Sequence, residues 1–261
     1  MGSLRFVRSL IARVLRQGIY PARHPLIKGL LCREWRWFLF PEPSDMEGEF
    51  LSNLNLKGLT VYDVGANLGL MTLFFARKVG REGHVVSFEP HPKAFEPLRR
   101  NVQVNAFKNV TLINKAVGCE TTTMELIVPS GSLLVSTFVT DHAESWLRRT
   151  GDTLVERALV PVDTIDNVVA SGSLPVPDLI KIDVEGYELQ VLGGSVKTIE
   201  AHRPAFFIEL HGHTVSDGKS LVTNVVQFLL NYSYNIYHVE YQKDVEAGEV
   251  DFVKGHLYCT M

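Results

Sequence analysis

The segment from Thr60 to Phe75 constrains the fold more than any other part of this 261-residue chain. A short apolar run ends at Asp63, the turn Gly-Ala-Asn-Leu-Gly follows, and apolar residues then recur at helical spacing. This order predicts a buried strand, a tight turn and a helix, which together form the first unit of a nucleotide-binding α/β sheet. Gly65 would allow the sharp turn, and Gly69 would let the helix approach the strand or a ligand.

The glycine spacing argues against two common phosphate sites. The turn lacks the Gly-x-Gly-x-x-Gly pattern of a dinucleotide site and the Gly-Lys-Ser/Thr of a P-loop. The N–H groups at the start of the following helix still suit a polar ligand. We therefore expect a nucleotide-type ligand that is not held through a diphosphate.

Four motifs, in a fixed order, resemble the FkbM family of methyltransferases. Residues 60–212 carry them, and four separate motifs are far more specific than the glycine turn alone. The resemblance implies a Rossmann-like enzyme that uses S-adenosylmethionine and methylates an oxygen atom. The motifs are Asp63-Val64-Gly65-Ala66-Asn67, Phe88-Glu89-Pro90, Asn101-Val102-x-x-Asn105 and Lys181-Ile182-Asp183-Val184-Glu185-Gly186-x-Glu188.

Short apolar runs alternate with helical patterns over most of the chain, which predicts an α/β fold with a mainly parallel sheet covered by helices on both faces. The family's fold implies seven strands, with the first at the centre beside the strand that carries Asp183 and the last antiparallel to the rest. The predicted strands lie near 60–64, 84–89, 110–114, 179–183, 205–210, 234–240 and 256–261, and the predicted helices near 69–79, 92–105, 188–201 and 219–231.

The alternation lapses between residues 119 and 178, which we interpret as an insertion in the methyltransferase domain of residues 44–261. The stretch from Thr121 to Val128 predicts an added strand, and a polar stretch follows it. Long irregular segments in compact domains tend to be functional or mobile. Two interpretations stay open: a wall or lid for the substrate, or a surface loop.

Residues 1–43 are predicted to form a basic, helical N-terminal arm. Residues 4–16 alternate apolar residues with arginines at helical spacing, which predicts an amphipathic helix. Residues 1–40 carry eight Lys/Arg and one Glu, so they hold about +7 of a net charge of −3. The arm could contact an anionic membrane surface, or it could pack on the core or on a second subunit in a homodimer. Ser44 to Glu47 fits a capping box that opens the next helix.

Hydropathy and cysteine content indicate the cellular compartment in which the protein works. No apolar run reaches the roughly 18 residues of a membrane span, and arginines interrupt the N-terminal apolar stretch, unlike a secretory signal. Three dispersed cysteines, Cys32, Cys119 and Cys259, favour a reducing compartment. We therefore expect a cytoplasmic protein, which could lie peripherally at a membrane, with a small-molecule or glycan acceptor and no nucleic-acid partner.

The cofactor residues follow mainly from the resemblance. Glu89 ends the second predicted strand, where a carboxylate accepts ribose hydroxyl protons in the dinucleotide-binding fold. Asp63 either orients the glycine turn, receives the methionine ammonium or caps its strand. The resemblance places Lys115 and Ala116 near the adenine. The predicted cofactor contacts are Asp63, Gly65, Ala66, Asn67, Gly69, Glu89, Pro90, Ala116 and Asp183.

Four polar residues are candidates for catalysis because they follow two strands that the family's fold makes neighbours. Lys181 and Asp183 share one strand face, and Glu209 and His211 share another. If the faces agree, all four converge at the carboxyl ends, with Asp183 nearest the methyl group and His211 as the preferred general base. Two alternatives are a structural Lys181–Glu209 ion pair and a metal site of Asp183, Glu209 and His211; we predict no metal.

The sequence therefore predicts an S-adenosylmethionine-dependent methyltransferase that acts on a hydroxyl of a small natural product or sugar. Transfer to nitrogen is the nearest alternative. A non-catalytic cofactor-binding adaptor that works through the basic arm is the competing class. The four polar residues argue against the adaptor, because binding alone needs none of them.

Overall fold

The computed structural model of the protein describes residues 18–33, 45–129, 136–139, 144, 147–148, 155–211, 217–246, 248, 250, 252 and 254–261. Its strands are β1 (Tyr20–Pro21), β2 (Leu31–Cys32), β3 (Thr60–Val64), β4 (His84–Phe88), β5 (Val110–Ile113), β6 (Ala116–Val117), β7 (Thr122–Pro129), β8 (Val155–Asp163), β9 (Leu179–Ile182), β10 (Ala205–His211), β11 (Asn235–His238), β12 (Lys243–Asp244) and β13 (Lys254–Thr260). Its α-helices are α1 (Met46–Asn53), α2 (Leu70–Val79), α3 (Pro92–Val104), α4 (Ile165–Ala170), α5 (Glu188–Gly193), α6 (Val196–His202) and α7 (Asp217–Asn231).

The main sheet has the strand order β12-β11-β13-β10-β9-β3-β4-β5. Strand β3 lies between β9 and β4 and is parallel to both, whereas β13 is antiparallel to β10 and β11. All seven predicted strands are present, and the two-residue β12 adds an eighth at the edge. The predicted central position of the first strand and the antiparallel last strand are confirmed.

Helices cover both faces of this sheet. Successive side chains of a strand point to opposite faces, so a strand with apolar residues at every position needs a helix layer on each side. On β9, Ile180 and Ile182 pack in one core cluster with residues of α5, α6 and α7. Leu179 points to the other face, where it joins a cluster with residues of α1, α2 and α3. Lys181 follows the same alternation, so it lies on the α1–α3 face of the sheet.

The helix predicted over 188–201 is divided into α5 and α6. Gly193 and Gly194 end the first helix, and Ser195 precedes the second. A Cβ on Gly194 would overlap the carbonyl oxygen of Gly118. A continuous helix with an ordinary residue here would therefore collide with the backbone beside β6.

The insertion of residues 119–178 contributes to a second, three-stranded sheet with the order β6-β8-β7. The predicted added strand is present as β7, which pairs antiparallel with β8 along its whole length. The sequence pattern did not predict β8 or α4. Leu126, Val128 and Val160 form a small separate core against which Phe138 packs.

Part of the predicted arm packs on the domain. Residues 18–33 form a short β1–β2 hairpin with a 3₁₀ turn at Pro25–Ile27, and Leu26, Ile27 and Cys32 are buried against the α1–α3 face. The predicted amphipathic helix of residues 4–16 lies outside the described residues, as does Ser44.

The N-cap of α1 is Asp45, whose Oδ1 accepts a hydrogen bond of 2.8 Å from Gly48 N. Among the described helices, none has the length and apolarity to cross a bilayer.

Candidate active site

A cavity of about 740 Å³ of empty space, partly open to solvent, lies at the carboxyl ends of β3, β4, β9 and β10. This edge of an open parallel sheet is where such folds bind ligands. The main sheet contributes Gly65, Asn67, Glu89, Pro90, Asp183 and Glu209 to the lining. The second sheet and its neighbouring segment contribute Ala116, Leu126, Ser136 and Phe138.

The glycine turn is held against the neighbouring strands. The backbone N–H groups of Gly65 and Ala66 both donate to the carbonyl oxygen of Phe88, at 3.0 and 2.9 Å. Gly65 has φ +88°, and a Cβ there would overlap the carbonyl oxygen of Asp183. Glycine is therefore required where the turn passes the end of β9. Gly69 is the N-cap of α2 and, like Ala66, does not line the cavity.

Glu89 presents a nearly buried carboxylate, 3% exposed, to the cavity. Its Oε2 accepts a hydrogen bond from Asn67 N and its Oε1 one from His91 N, each at 2.8 Å. Burial raises the pKa of Glu89 to about 7, although the two backbone hydrogen bonds oppose this shift. The carboxylate is thus fixed in orientation, and each oxygen keeps a lone pair for a hydroxyl donor.

Asp63 lies beneath the turn and not in the cavity. It is fully buried, and its Oδ2 accepts a hydrogen bond of 2.6 Å from the Thr72 hydroxyl of α2. Burial raises the pKa of Asp63, with the charge of Lys181 opposing. This contact joins the end of β3 to α2, and the role of Asp63 stays a prediction.

The asparagine motif on α3 supports the turn from its other side. Asn101 is fully buried, and its Nδ2 donates a hydrogen bond of 2.9 Å to the Leu68 carbonyl oxygen. Its Oδ1 accepts one of 2.7 Å from Arg33 N. Asn105 makes hydrogen bonds of 2.8 and 2.6 Å with the backbone N–H and carbonyl of Leu31. The motif therefore links the glycine turn to the N-terminal hairpin.

The four predicted catalytic residues are brought together on the α1–α3 face of the sheet. Lys181 is 2% exposed, and its Nζ lies 2.7 Å from Asp183 Oδ2. Burial lowers the pKa of Lys181, but Asp183 and Asp63 outweigh burial and raise it overall. The partner predicted in the ion-pair alternative was Glu209. The observed partner is Asp183, because the two side chains share a face of the same strand.

His211 is surrounded by carboxylates. Its Nδ1 lies 2.9 Å from Oε1 of the fully buried Glu188, and its Nε2 lies 3.5 Å from Glu209 Oε1 and 3.7 Å from Asp183 Oδ1. Burial opposes protonation, but the hydrogen bonds to Glu188 and Glu209 and the charge of Asp183 raise the pKa of His211 well above its usual value. A histidine held as a cation is a poor proton acceptor, which weakens the predicted general-base role of His211.

A second histidine extends this network behind Glu209. His256 Nε2 lies 3.7 Å from Glu209 Oε2 and 3.7 Å from Glu47 Oε1, and its Nδ1 contacts Glu240 Oε1 at 2.5 Å. Burial raises the pKa of Glu209, but the nearby His211 and His256 side chains outweigh burial and lower it overall. Glu209 is therefore an ionised partner of two histidines. The sequence analysis gave no role to one of them, His256.

Glu185 lines the cavity, although the sequence placed it only within a motif and gave it no role. Its backbone lies in the left-handed region, with φ +51°, which is uncommon for a residue other than glycine. Burial raises the pKa of Glu185 to about 7, while the charge of His211 opposes the shift. A signal for Glu185 was present in the sequence: it follows Asp183 by two residues, just after the end of a predicted strand. The ends of parallel strands are where such sheets bind ligands.

The polar side chains of the site could contact a cofactor, and some of them could instead bind a metal ion. The cavity-lining members of the predicted cofactor set are Gly65, Asn67, Glu89, Pro90, Ala116 and Asp183, with Lys115 beside them. Ligand atoms of Asp183, Glu209 and His211 all lie within 4.8 Å of one another, so these three residues could also hold a metal ion. Lys181 and His211 lie behind the cavity lining, which makes them partners of the lining carboxylates.

A family model described as the methyltransferase FkbM domain matches residues 63–236 of the chain. Among curated proteins, the chain is 31% identical over 154 residues to methyltransferase sdnD of Sordaria araneosa, covering 51% of this chain and 59% of that protein. It is 28% identical over 147 residues to hexuronic acid methyltransferase AglP of Haloferax volcanii, covering 54% of this chain and 52% of that protein. The matches thus span a little over half the length of each relative.

A solved structure supports the fold. The crystal structure of an FkbM methyltransferase from Methylobacillus flagellatus KT is similar with a TM-score of 0.50 and 20% identity, covering 80% of this chain and 45% of that one. At this level of identity the likeness concerns the fold alone. It agrees with the Rossmann-like architecture predicted from the alternation of strands and helices.

Proposed function

Because the chain belongs to the FkbM methyltransferase domain family, we propose that it binds S-adenosylmethionine beside the Gly65 turn and transfers the methyl group to a hydroxyl of a small natural product or sugar. The observation that carries the proposal is the Glu89 carboxylate, which faces the cavity while backbone N–H groups of Asn67 and His91 hold it in place. A fixed carboxylate at this strand end suits a ribose with two free hydroxyls.

The residues present fit this cofactor. Glu89 would hold the ribose, Pro90, Lys115 and Ala116 would border the adenine, and Asp183 would lie toward the sulfonium. When bound, S-adenosylmethionine supplies a methyl group on a positively charged sulfur, which an acceptor with a lone pair can take.

The chain's own residues then have three tasks. The carboxylates of Asp183 and Glu209 provide negative charge beside the cavity, which favours a cationic ligand. Lys181 and His211 pair with these carboxylates from behind the cavity lining. The wall formed by Leu126 and Phe138 would limit water and position the acceptor.

Two acceptor classes have support. The hexuronic acid methyltransferase among the relatives favours a sugar hydroxyl. The excess of cavity carboxylates, Glu89, Asp183, Glu185 and Glu209 against Lys115, favours a neutral or cationic acceptor, so transfer to an amine is the second candidate. Labelled S-adenosylmethionine assayed against neutral sugars, hexuronates and amines separates these classes.

Cofactor binding has a direct test. We expect S-adenosylmethionine to raise the melting temperature of the protein, and we expect Glu89→Ala to abolish the shift because the ribose loses its acceptor. Glu96→Ala is the matched control, since Glu96 is an exposed glutamate of α3 that pairs with Arg99 and Arg100. No shift with the unaltered protein, or an equal shift in Glu89→Ala, would contradict the cofactor assignment.

A further inference from the structure

The amino ends of the parallel strands form the sheet edge opposite the cavity. Strands β3, β4, β5, β9 and β10 run in the same direction, so the segments that precede them meet at one edge, while the cavity lies at the other. Helix α2 runs back from the cavity to this edge, where Gly58 N donates a hydrogen bond of 2.8 Å to the Val79 carbonyl oxygen. The last turn of α2 therefore lies at the edge opposite the cavity.

Six cations surround this last turn, and we call them the basic edge. The N-terminal hairpin reaches it at Arg77, whose Nη1 donates a hydrogen bond of 3.0 Å to the Lys28 carbonyl oxygen. The segment between α3 and β5 reaches it at Asn109, whose Nδ2 donates to the Ala76 and Gly80 carbonyl oxygens at 2.9 and 2.8 Å. The basic edge consists of Lys28, Lys57, Arg77, Lys78, Arg81 and Lys108.

The charge of the basic edge is not neutralised by the described residues. Its side chains are exposed except that of Lys78, which is half-buried. Within the described part of the chain, none of the six has a carboxylate at ion-pair distance, whereas the surface cations Lys93 and Arg157 each do. In the segments directly before β3, β4 and β5, Glu82 is the one carboxylate beside these cations. The edge therefore presents a surplus of positive charge.

The cavity edge carries the opposite charge, from Glu89, Asp183, Glu185 and Glu209. A strand of five residues such as β3, which separates the two edges, spans about 16 Å. The Debye length at physiological ionic strength is only about 8 Å. An anionic surface is therefore attracted to the basic edge, and the cavity carboxylates lie too far away to repel it strongly.

Apolar side chains beside the basic edge favour a lipid surface. Leu31 is 39% exposed, and its N–H donates to Asn105 Oδ1 at the end of α3, close to the segment that carries Lys108. Ile19, at the start of the same hairpin, is 50% exposed. The hairpin follows residues 4–16, whose pattern predicts a basic amphipathic helix. Cations next to aliphatic side chains suit the boundary between headgroups and acyl chains, whereas nucleic-acid surfaces combine cations with base contacts or stacking aromatic rings.

We infer that the basic edge binds an anionic lipid bilayer and that the cavity then faces away from the membrane. In this orientation the hairpin and the end of α2 lie against the headgroups, and the acidic cavity edge lies in water. The surface belongs to the folded domain, so it acts in addition to any contact made by residues 1–16. It is also independent of the reaction that the cavity supports.

Vesicle co-sedimentation of the full chain tests the basic edge. We expect binding to vesicles of phosphatidylcholine with phosphatidylserine, weak binding to phosphatidylcholine alone, and a loss of binding as salt is added. Combining Lys57→Gln, Arg81→Gln and Lys108→Gln should lower the partition coefficient by about 10-fold or more, because each cation near an anionic surface adds to the attraction.

A matched triple variant controls for net charge. Lys197→Gln, Lys243→Gln and Lys254→Gln remove three exposed cations from α6, β12 and β13. The partition coefficient should then change by less than about 2-fold, since these side chains lie away from the basic edge. An equal loss in both triple variants would overturn the inference, because the attraction would then follow net charge and not this surface.

Amide hydrogen exchange of the unaltered chain reports the orientation without any substitution. Anionic vesicles should slow exchange in residues 54–59, 80–83 and 105–109 and leave residues 183–187 at the cavity unchanged. Absence of binding at low salt, unaltered binding in the basic-edge variant, or slowed exchange only at the cavity would each contradict the proposal. Slowed exchange at the basic edge with RNA but not with vesicles would also overturn it, because the partner would then be a nucleic acid.

Discussion

Gly65 is the residue at which backbone conformation and close packing coincide. Its φ of +88° is accessible to glycine at little cost, and its missing Cβ leaves room for the Asp183 carbonyl oxygen. Gly58 has a similar φ of +80°, but among the described residues no heavy atom lies within 4 Å of the position that a Cβ would take there. The pair therefore separates conformational strain from steric overlap.

We expect Gly65→Ala to lower the free energy of unfolding by about 3 kcal/mol or more, and Gly58→Ala by about 1 kcal/mol, because the first adds overlap to strain. Urea unfolding monitored by circular dichroism measures both. Gly65→Ala should also lose S-adenosylmethionine binding, since its turn borders the cavity. Equal destabilisation by the two substitutions would show that close approach to β9 does not require glycine.

The sequence indicated which residues meet in the site, but it did not indicate whether each of them is protonated. Strand periodicity, together with the strand order implied by the resemblance, indicated that Lys181, Asp183, Glu209 and His211 converge if the two strand faces agree. In the structure these four side chains lie close together. Their ionisation depends on burial and on Glu188, which contacts His211 from the start of a helix that follows β9. Spacing in the sequence carries no information about such contacts, so it could not decide whether His211 is free to accept a proton.

Helix α3 joins two other elements through its asparagines. Asn101 contacts the glycine turn at Leu68 and the hairpin at Arg33, whereas Asn105 contacts the hairpin at Leu31. Asn101 is fully buried, and the Asn105 bonds to Leu31 are exposed. The two residues are thus a matched pair for testing how the helix supports the site.

We expect Asn101→Ala to lower the free energy of unfolding by about 2 kcal/mol and to weaken S-adenosylmethionine binding, because buried partners in the turn lose their hydrogen bonds. Asn105→Ala should cost about 1 kcal/mol or less and leave cofactor binding unchanged. Calorimetric titration measures the affinity, and amide hydrogen exchange at Leu31 and Arg33 reports release of the hairpin. Weakened binding in Asn105→Ala alone would contradict this division of roles.

Across the whole molecule, charge is divided unevenly. Residues 1–40 carry about +7, so the remainder of the chain carries about −10 to give the net charge of −3. The pattern of residues 4–16 predicts a basic amphipathic helix, for which membrane contact and packing are both open. A contact with anionic lipid would depend on ionic strength, because exposed charges are screened by salt.

We expect deletion of residues 1–16 to reduce binding to vesicles that contain anionic lipid, and we expect added salt to reduce binding of the full chain. Vesicle co-sedimentation measures both, with neutral vesicles as the lipid control. Replacing Arg5, Arg8, Arg13 and Arg16 by Gln keeps the apolar stripe and should reproduce the deletion. Binding that is unchanged by all three treatments would favour packing as the role of the arm.

The sequence by itself determined the α/β class, the seven main strands and the order of the motifs around the glycine turn, because strand and helix periods are local properties of a chain. It also identified Glu89 and Asp183 as residues at strand ends. The tertiary structure decided which of the predicted cofactor residues reach the cavity. Asp63, which was predicted to be one of them, is buried beneath the turn instead. It also joined Glu185, Glu188 and His256 to the site. These contacts depend on strand order, burial and electrostatic surroundings, which arise only when distant parts of the chain pack together.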